Sequence, residues 1–220
     1  MKLKKRFSEQ DLERINTAVK SAEEKISGEI VPVIVEKSDD YVAASYKAGI
    51  ICAALAFVTM VILDRYVISD THTIYYDPLF LLVIVAVCGV LGGVITDYVD
   101  GLKRFFISRT YLDVVTRQRA ESVFLEEEIF NTRQRTGIMI FISFFEHEVI
   151  VLADRGINQV VEQKEWDNVV AGLVTKIRSG HLTEGLEWAI GRCGEILLEK
   201  GFHKTADDTN ELGDDLRITK

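Results

Sequence analysis

The stretch Ala48–Leu63, AGIICAALAFVTMVIL, holds no charged residue across 16 positions, and Pro78–Thr96 holds none across 19. At a rise of about 1.5 Å per residue, these segments predict helices of about 24 and 28 Å, close to the ~30 Å of a hydrocarbon layer. Lys47 precedes the first segment, and its long stem can carry the ammonium to the lipid headgroups. Because both segments are apolar on every face, we predict transmembrane helices at 48–63 and 78–96 rather than a buried hairpin of a soluble domain.

The basic residues outside these segments predict their orientation. The connecting segment 64–77 carries Arg65 as its one Lys or Arg. The outer flanks carry Lys2, Lys4, Lys5, Arg6, Lys47, Lys103, Arg104 and Arg109. The positive-inside rule therefore predicts that 64–77 is an external loop and that both termini lie in the cytoplasm. The chain is thus expected to be an integral membrane protein whose first partner is the lipid bilayer.

Composition limits the other classes of partner. A net charge of −8 without a dense basic cluster argues against nucleic acid. The three cysteines, Cys52, Cys88 and Cys193, fall in apolar or helical patterns, and their spacing fits neither a zinc site nor a redox pair. The segment 204–220 is acidic and shows no periodicity, so it is predicted to be a mobile tail.

Helical and strand patterns alternate in the rest of the chain. Ser8, with Asp11 three residues later, predicts the start of a helix, and a β-branched strand follows at 29–36, where Pro32 marks an edge or a bulge. From 97 to about 135 the pattern stays helical and charged. An apolar strand at 138–145, a tight turn at Glu146-His147 and a strand at 148–153 then predict a β-hairpin, and two amphipathic helices follow it.

One argument connects the two halves of the chain. Residues 1–47 are too few to bury a core alone, so their helix and strand must pack onto the elements after residue 136. Both halves must then lie on the same side of the membrane, which requires an even number of spans. We therefore predict one discontinuous α/β domain, formed by 1–47 and 98–203 and interrupted by a two-helix transmembrane hairpin.

Short motifs occur along the chain in a specific order, which is Ser27-Gly28-Glu29-Ile30-Val31, Ser38-Asp39-Asp40-Tyr41, Thr136–Ser143, Ala153-Asp154-Arg155-Gly156-Ile157, Trp166 and Asn210-Glu211-Leu212. This order resembles the TPM-domain family, and within it the bacterial inner-membrane branch in which a transmembrane pair splits the domain. The resemblance implies a small αβα sandwich with a short mixed sheet. Two departures from the family pattern are His147, where Arg is usual, and Leu212-Gly213-Asp214, where Leu-Pro-Asp is usual.

The resemblance implies two kinds of activity. Some members of the family are described as acid phosphatases or as binding divalent metal, and others act as membrane-associated assembly or regulatory factors. Asp39 and Asp40 follow the first strand, and Asp154 follows the third. Carboxylates that converge at strand ends could hold Ca²⁺ or Mg²⁺, and Arg155 could contact a phosphate. The alternative is that Ser38-Asp39-Asp40 caps a helix, that Asp154 shapes a turn, and that Arg155 is a solvated or salt-bridged surface charge.

The sequence assigns no catalytic residue. The histidines lack ligand spacing, and Ser143 lacks a nucleophile elbow. Two functions therefore stay open. One is a membrane-anchored, non-enzymatic module that binds a partner protein for assembly or regulation, with the charged helix after residue 97 as a docking face. The other is a metal-dependent phosphatase that uses Asp39, Asp40 and Asp154, and convergence of these carboxylates would distinguish the two.

Overall fold

A computed structural model describes residues 6–66, 77–205 and 210–219. The chain divides into two compact units, of which unit 1 comprises Met1–Ser38 with Asp113–Lys220 and unit 2 comprises Asp39–Leu112. Unit 1 is discontinuous, and its inner boundaries differ from the predicted 1–47 and 98–203. Most of the predicted external loop, residues 67–76, lies outside the described residues.

Unit 1 consists of helices and strands in alternation. They are α1 (Glu9–Glu23), β1 (Glu29–Val35), the larger part of α5 (Arg109–Glu126), β2 (Gly137–Ser143), β3 (Glu148–Ala153), α6 (Arg155–Asn158), α7 (Gln163–Arg178), α8 (Leu182–Glu199) and β4 (Arg217–Thr219). The predicted start of α1 is confirmed, because the Ser8 hydroxyl accepts the N–H of Asp11 at 3.1 Å. The Asp11 carboxylate in turn accepts the N–H of Ser8 at 3.0 Å.

The described strands form one mixed sheet in the order β3-β2-β1-β4. β1 is parallel to β2, with Glu29 opposite Gly137 and Val35 opposite Ser143. β4 is also parallel to β1, whereas β3 is antiparallel to β2. Since this register has no interruption, no bulge occurs at Pro32, which lies just before the three residues of β1 that pair with β4.

Apolar side chains cover both faces of the sheet. One face packs against α1, α7 and α8, where Ile15, Leu173 and Ile190 are fully buried. The other face packs against α5, through Ala120 and Val123. Every position of β1 and β2 is buried. Between Glu29 at the start of β1 and Ser143 at the end of β2, both strands therefore lack the alternation of apolar and polar residues that a strand with one exposed face shows. The predicted α/β class and αβα sandwich are confirmed.

The predicted mobile tail is wrong at its end. Residues Arg217–Thr219 form β4 beside Val33–Val35, and the Arg217 guanidinium lies 2.6 Å from the Glu127 carboxylate. The Glu29 carboxylate accepts the N–H groups of Glu211 and Leu212, at 3.1 and 3.3 Å. A strand of three residues is too short to show periodicity, and a pairing partner almost two hundred residues away leaves no local signal.

The predicted helix from 97 to 135 is also wrong, since it is three separate segments. The helix α3 (Pro78–Tyr98) ends first, the six-residue helix α4 (Asp100–Phe105) follows, and α5 ends at Glu126. The chain reverses after α5 through Glu128 and Arg135, which have φ values of 51° and 57°. Side-chain periodicity does not encode such left-handed positions. The β2–β3 turn likewise spans 144–147 rather than two residues, with His147 at φ 59°.

Unit 2 is built on two long helices, α2 (Val42–Tyr66) and α3 (Pro78–Tyr98), followed by α4 (Asp100–Phe105) and the first residues of α5. α2 and α3 are long and apolar enough to cross a membrane. They pack closely at glycines, because a Cβ at Gly49 would lie 2.8 Å from the Gly89 carbonyl oxygen. A Cβ at Gly92 would lie 2.5 Å from the Cys52 sulfur. The small residues therefore pack the two helices on each other.

Candidate functional site

Asp39 and Asp40 are exposed residues of unit 2, directly before α2. The Asp39 carboxylate accepts the N–H of Asp40 at 2.7 Å. This hydrogen bond is local to the turn before α2, whereas the structural alternative expected for these acids was helix capping.

Asp154 belongs to unit 1 and caps α6. Its Oδ1 accepts the N–H of Arg155 at 2.6 Å, and its Oδ2 lies 3.9 Å from the Arg135 guanidinium. The Arg155 side chain is exposed. Both residues therefore take the structural roles that were the alternatives to metal and phosphate binding.

The sheet direction explains why Asp154 lies away from the end of β1. Val35 at the end of β1 is level with Ser143, which pairs with Glu148 at the start of β3. Asp154 follows the far end of β3, about 17 Å along the strand at ~3.3 Å per residue. Among the described residues, no three acids, histidines or cysteines are grouped to hold a metal ion. The predicted convergence of Asp39, Asp40 and Asp154 is therefore not found.

A different polar cluster occupies the carboxyl ends of β1 and β2. The Ser143 hydroxyl donates to the Glu146 carboxylate, which also accepts the N–H of Ser38 at 2.8 Å. The Ser38 hydroxyl donates to the Ser143 hydroxyl oxygen at 3.2 Å. Ser143 and Glu146 are only 1% and 4% exposed, and their hydrogen bonds connect the end of β1 to the β2–β3 turn.

Sequence reasoning did not predict this cluster. Ser143 was considered only as a nucleophile, and Glu146 only as part of a turn. The available signal was a polar residue at the end of each of two apolar strands, at the sheet edge where α/β proteins place functional groups.

Glu148 stands beside this cluster. Burial first, and then the hydrogen bond and charge of Asp113, raise the pKa of Glu148 to about 7, with a further contribution from Glu146. The Glu148 carboxyl therefore binds a proton more readily than an ordinary glutamate, and in its protonated form it can donate that proton to the Asp113 carboxylate.

Glu148 also lines a cavity of about 320 Å³ between residues of β3 and α7, which we call the β3–α7 groove. Its apolar walls are Phe144, Val149, Val174 and Ile177. Ile142, Ser143, His147, Glu148 and Arg178 complete its lining. The exposed Arg178 guanidinium makes no hydrogen bond or ion pair within the described ranges. In the described sheet β3 pairs with β2 alone, so its outer edge is open beside the groove. This arrangement suits binding of an extended chain better than it suits a reaction.

A second cavity of unit 1, of about 210 Å³, lies where the C-terminal segment meets α1. Glu23, which lines it, is 7% exposed, and its Oε1 accepts the N–H of Ile30 at 2.8 Å. Burial first, and then the carboxylates of Glu29 and Asp214, raise the pKa of Glu23 to about 8. Lys20 lies 3.9 Å from Asp214, so one cation partly balances this acidic cluster.

Comparison with known proteins gives a likeness of fold. No protein-family model matches the chain, and no curated protein matches it. Its fold is similar to the NMR structure of the BA42 protein from the psychrophilic bacterium Bizionia argentinensis, with a TM-score of 0.59 and 17% sequence identity. The alignment covers 97% of this chain and 95% of that protein. At this identity the likeness concerns the architecture alone.

Proposed function

We propose that this protein is a membrane-anchored α/β module of the TPM type that binds a partner protein and does no chemistry of its own. The membrane anchoring is supported by the exposed apolar side chains of α2 and α3. Apart from their mutual contact, these helices leave large apolar side chains outward, including Ile50 at 70%, Leu55 at 61% and Val90 at 65% exposed. Such a surface is costly in water and suits a lipid environment.

The orientation follows from the same argument as in the sequence. Unit 1 contains chain from both sides of the helix pair, so two spans return the chain to the side from which it started. The excess of Lys and Arg on the outer flanks favours the cytoplasm for that side. Both termini are then cytoplasmic, in a protein of the cytoplasmic membrane.

The β3–α7 groove is the docking site that we propose for the partner. Its occupant is an extended protein segment that adds a strand to the open edge of β3 and places apolar side chains between Val149 and Ile177. Arg178 favours a segment with a carboxylate near its end, because the guanidinium has no anionic partner within the described chain. Strand addition supplies backbone hydrogen bonds, and the groove supplies specificity.

The phosphatase alternative lacks a comparable observation. Its proposed centre required Asp39, Asp40 and Asp154 to meet, and the described residues contain no group of three acids, histidines or cysteines that could hold a metal ion. Ca²⁺ or Mg²⁺ therefore has no role in the function that we propose.

Photocrosslinking in living cells tests the proposed docking. A photoreactive residue at Val149 in the full chain should give a discrete adduct, whereas one at exposed Glu195 on α8 should give none. The Val149 adduct should disappear in an Arg178→Glu variant and return when an acid in the captured segment is changed to lysine. Equal adducts at both positions, or indifference to Arg178→Glu, would exclude the groove.

A hydrolysis assay tests the non-enzymatic part of the proposal. The purified full chain should not hydrolyse p-nitrophenyl phosphate with millimolar Mg²⁺ or Ca²⁺ present. Metal-dependent turnover that is lost in Asp39→Asn would contradict this part and favour the phosphatase.

A further inference from the structure

We infer that unit 2 binds the headgroup of a zwitterionic phospholipid, phosphoethanolamine, in a cavity beside the first turn of α2. This inference rests on the proposed membrane anchoring and adds a specific lipid site to it. The cavity measures about 440 Å³ and is formed within unit 2 by the start of α2 and the connection between α4 and α5. We call it the Lys47 cavity, after the one lysine that lines it.

The position of the Lys47 cavity suits the level of the headgroups. Lys47 directly precedes the uncharged stretch of α2, so the cavity borders the start of the apolar span. Nearby aromatic side chains are exposed, with Tyr46 at 70%, Tyr98 at 85% and Phe105 at 80%. Tyrosines at the ends of membrane helices typically lie among the headgroups. A lipid is therefore the molecule at highest local concentration around this cavity.

Several residues of the cavity lining suit a phosphate. The Lys47 ammonium is exposed and has no ion pair within the described chain. The first turns of α2 and α5 both contribute residues to the lining, and neither turn contains an acid. The positive ends of two helix dipoles thus add to the charge of Lys47. Ser108, at the start of α5, supplies a hydroxyl that can donate to a phosphate oxygen.

Other residues of the cavity lining suit an ammonium group. Asp39 also lines it, and among the described residues its carboxylate accepts one hydrogen bond, from the N–H of Asp40 at 2.7 Å, which leaves acceptor capacity for a further donor. Tyr41 and Tyr111 also line it, in an edge-to-face pair with ring centroids 6.2 Å apart. Ring faces attract cations, and a carboxylate favours a primary ammonium because it donates hydrogen bonds. A choline group has no such donor.

The remaining wall of the cavity is apolar. Val42, Ala43, Phe106 and Ile107 supply it, and Val42 is 54% exposed. Farther along α2, exposed Ile50 and Ile51 continue an apolar surface. A headgroup in the cavity could thus leave its glycerol and acyl chains against apolar side chains. The cation, the carboxylate and the apolar wall match the three parts of one phosphatidylethanolamine molecule.

Native mass spectrometry of the full chain in detergent micelles tests this site. With equimolar phosphatidylethanolamine, phosphatidylcholine and phosphatidylglycerol added, we expect one phosphatidylethanolamine to remain bound per chain. Lys47→Met keeps the stem and removes the charge, and should lower its occupancy about tenfold, as loss of a charge-assisted hydrogen bond implies. Arg65→Met, at the other end of α2, should have no effect. Asp39→Asn should remove the preference over phosphatidylcholine.

Several other outcomes would contradict the inference. Equal occupancy by the three lipids, or equal effects of Lys47→Met and Arg65→Met, would overturn the inference. Displacement of the lipid by millimolar free phosphoethanolamine or inorganic phosphate would show a site for a soluble phosphate and overturn the lipid assignment. Alkaline carbonate extraction is run in parallel. Release of the wild-type chain from membranes would refute the anchoring, whereas a membrane-bound chain without lipid selectivity would refute the site alone.

Discussion

Glu23 makes the folded state of unit 1 sensitive to pH. Its carboxyl is buried beside Glu29 and Asp214, and burial is the first cause of a pKa of about 8 against an ordinary value of 4.5. Lys20 on α1 and Lys204 are the cations that line the same cavity, and the Lys204 ammonium donates to the Glu23 backbone carbonyl at 3.1 Å. The neutral carboxyl is therefore the form that fits the fold.

The sign of the pH effect follows from these two pKa values. Between about pH 4.5 and pH 8 the folded state binds a proton at Glu23 that the unfolded chain has released, so stability falls as the pH rises. Each pH unit in this window costs about 1.4 kcal/mol, which amounts to about 3 kcal/mol at pH 7. Below this window Glu23 is neutral in both states and the cost vanishes.

Glu23→Gln should remove this cost. The glutamine carbonyl can still accept the N–H of Ile30, and the neutral amide does not repel Glu29 or Asp214. We expect the variant to be more stable than the wild type by about 3 kcal/mol at pH 7, with little difference at pH 4.5. For a domain of this size, each kcal/mol raises the melting temperature by about 2–4 °C.

Tryptophan fluorescence of the full chain in detergent micelles measures this effect. Both tryptophans, Trp166 and Trp188, belong to unit 1, so thermal unfolding followed at pH 4.5, 7 and 9 reports on that unit. Glu24→Gln, at the exposed neighbouring position, is the matched control and should not change the pH dependence. A Glu23→Gln variant that is less stable than the wild type at pH 7, or whose advantage does not grow with pH, would refute the reasoning.

Three further variants test other contacts. Glu146→Ala should lower the stability of unit 1 by about 1–3 kcal/mol, because it leaves two donors buried without a partner, and tryptophan fluorescence melting would show the loss. Gly92→Val should lower the melting temperature of the helices followed by circular dichroism, because its side chain would overlap the neighbouring helix, whereas Gly101→Ala meets nothing within 4 Å and should not. Arg217→Ala breaks the ion pair with Glu127 and should speed limited proteolysis of the C-terminal segment, with cleavage unchanged if β4 needs no such anchor.

Most of the fold could be predicted from the long apolar stretches of the sequence. The uncharged stretches of α2 and α3 and the buried strands β1 and β2 were all predictable, because each is a continuous run whose length matches one structural element. The predicted pairing of the two halves also held, since unit 1 combines chain from both ends. The helix cap at Ser8 was predictable because its partner, Asp11, lies only three residues later in the sequence.

Elements that depend on distant contacts were not predictable. β4 is stabilised by pairing with β1 and by the Arg217–Glu127 contact, neither of which leaves a local pattern. The surroundings of Asp154 were not predictable for a related reason. Strand direction decides which strand ends meet, and the antiparallel β3 carries Asp154 away from the edge where Glu146 and Ser143 lie.

Site-directed labelling in membrane vesicles tests the central claim, a membrane hairpin that interrupts one α/β domain. In a chain without its natural cysteines, single cysteines replace Lys37, Thr71 and Glu195, and a membrane-impermeant maleimide is applied to right-side-out and inverted vesicles. We predict labelling of Thr71→Cys in right-side-out vesicles, and of Lys37→Cys and Glu195→Cys in inverted vesicles. Labelling of all three from the same side would contradict the hairpin, and labelling of Lys37→Cys and Glu195→Cys from opposite sides would contradict the single domain.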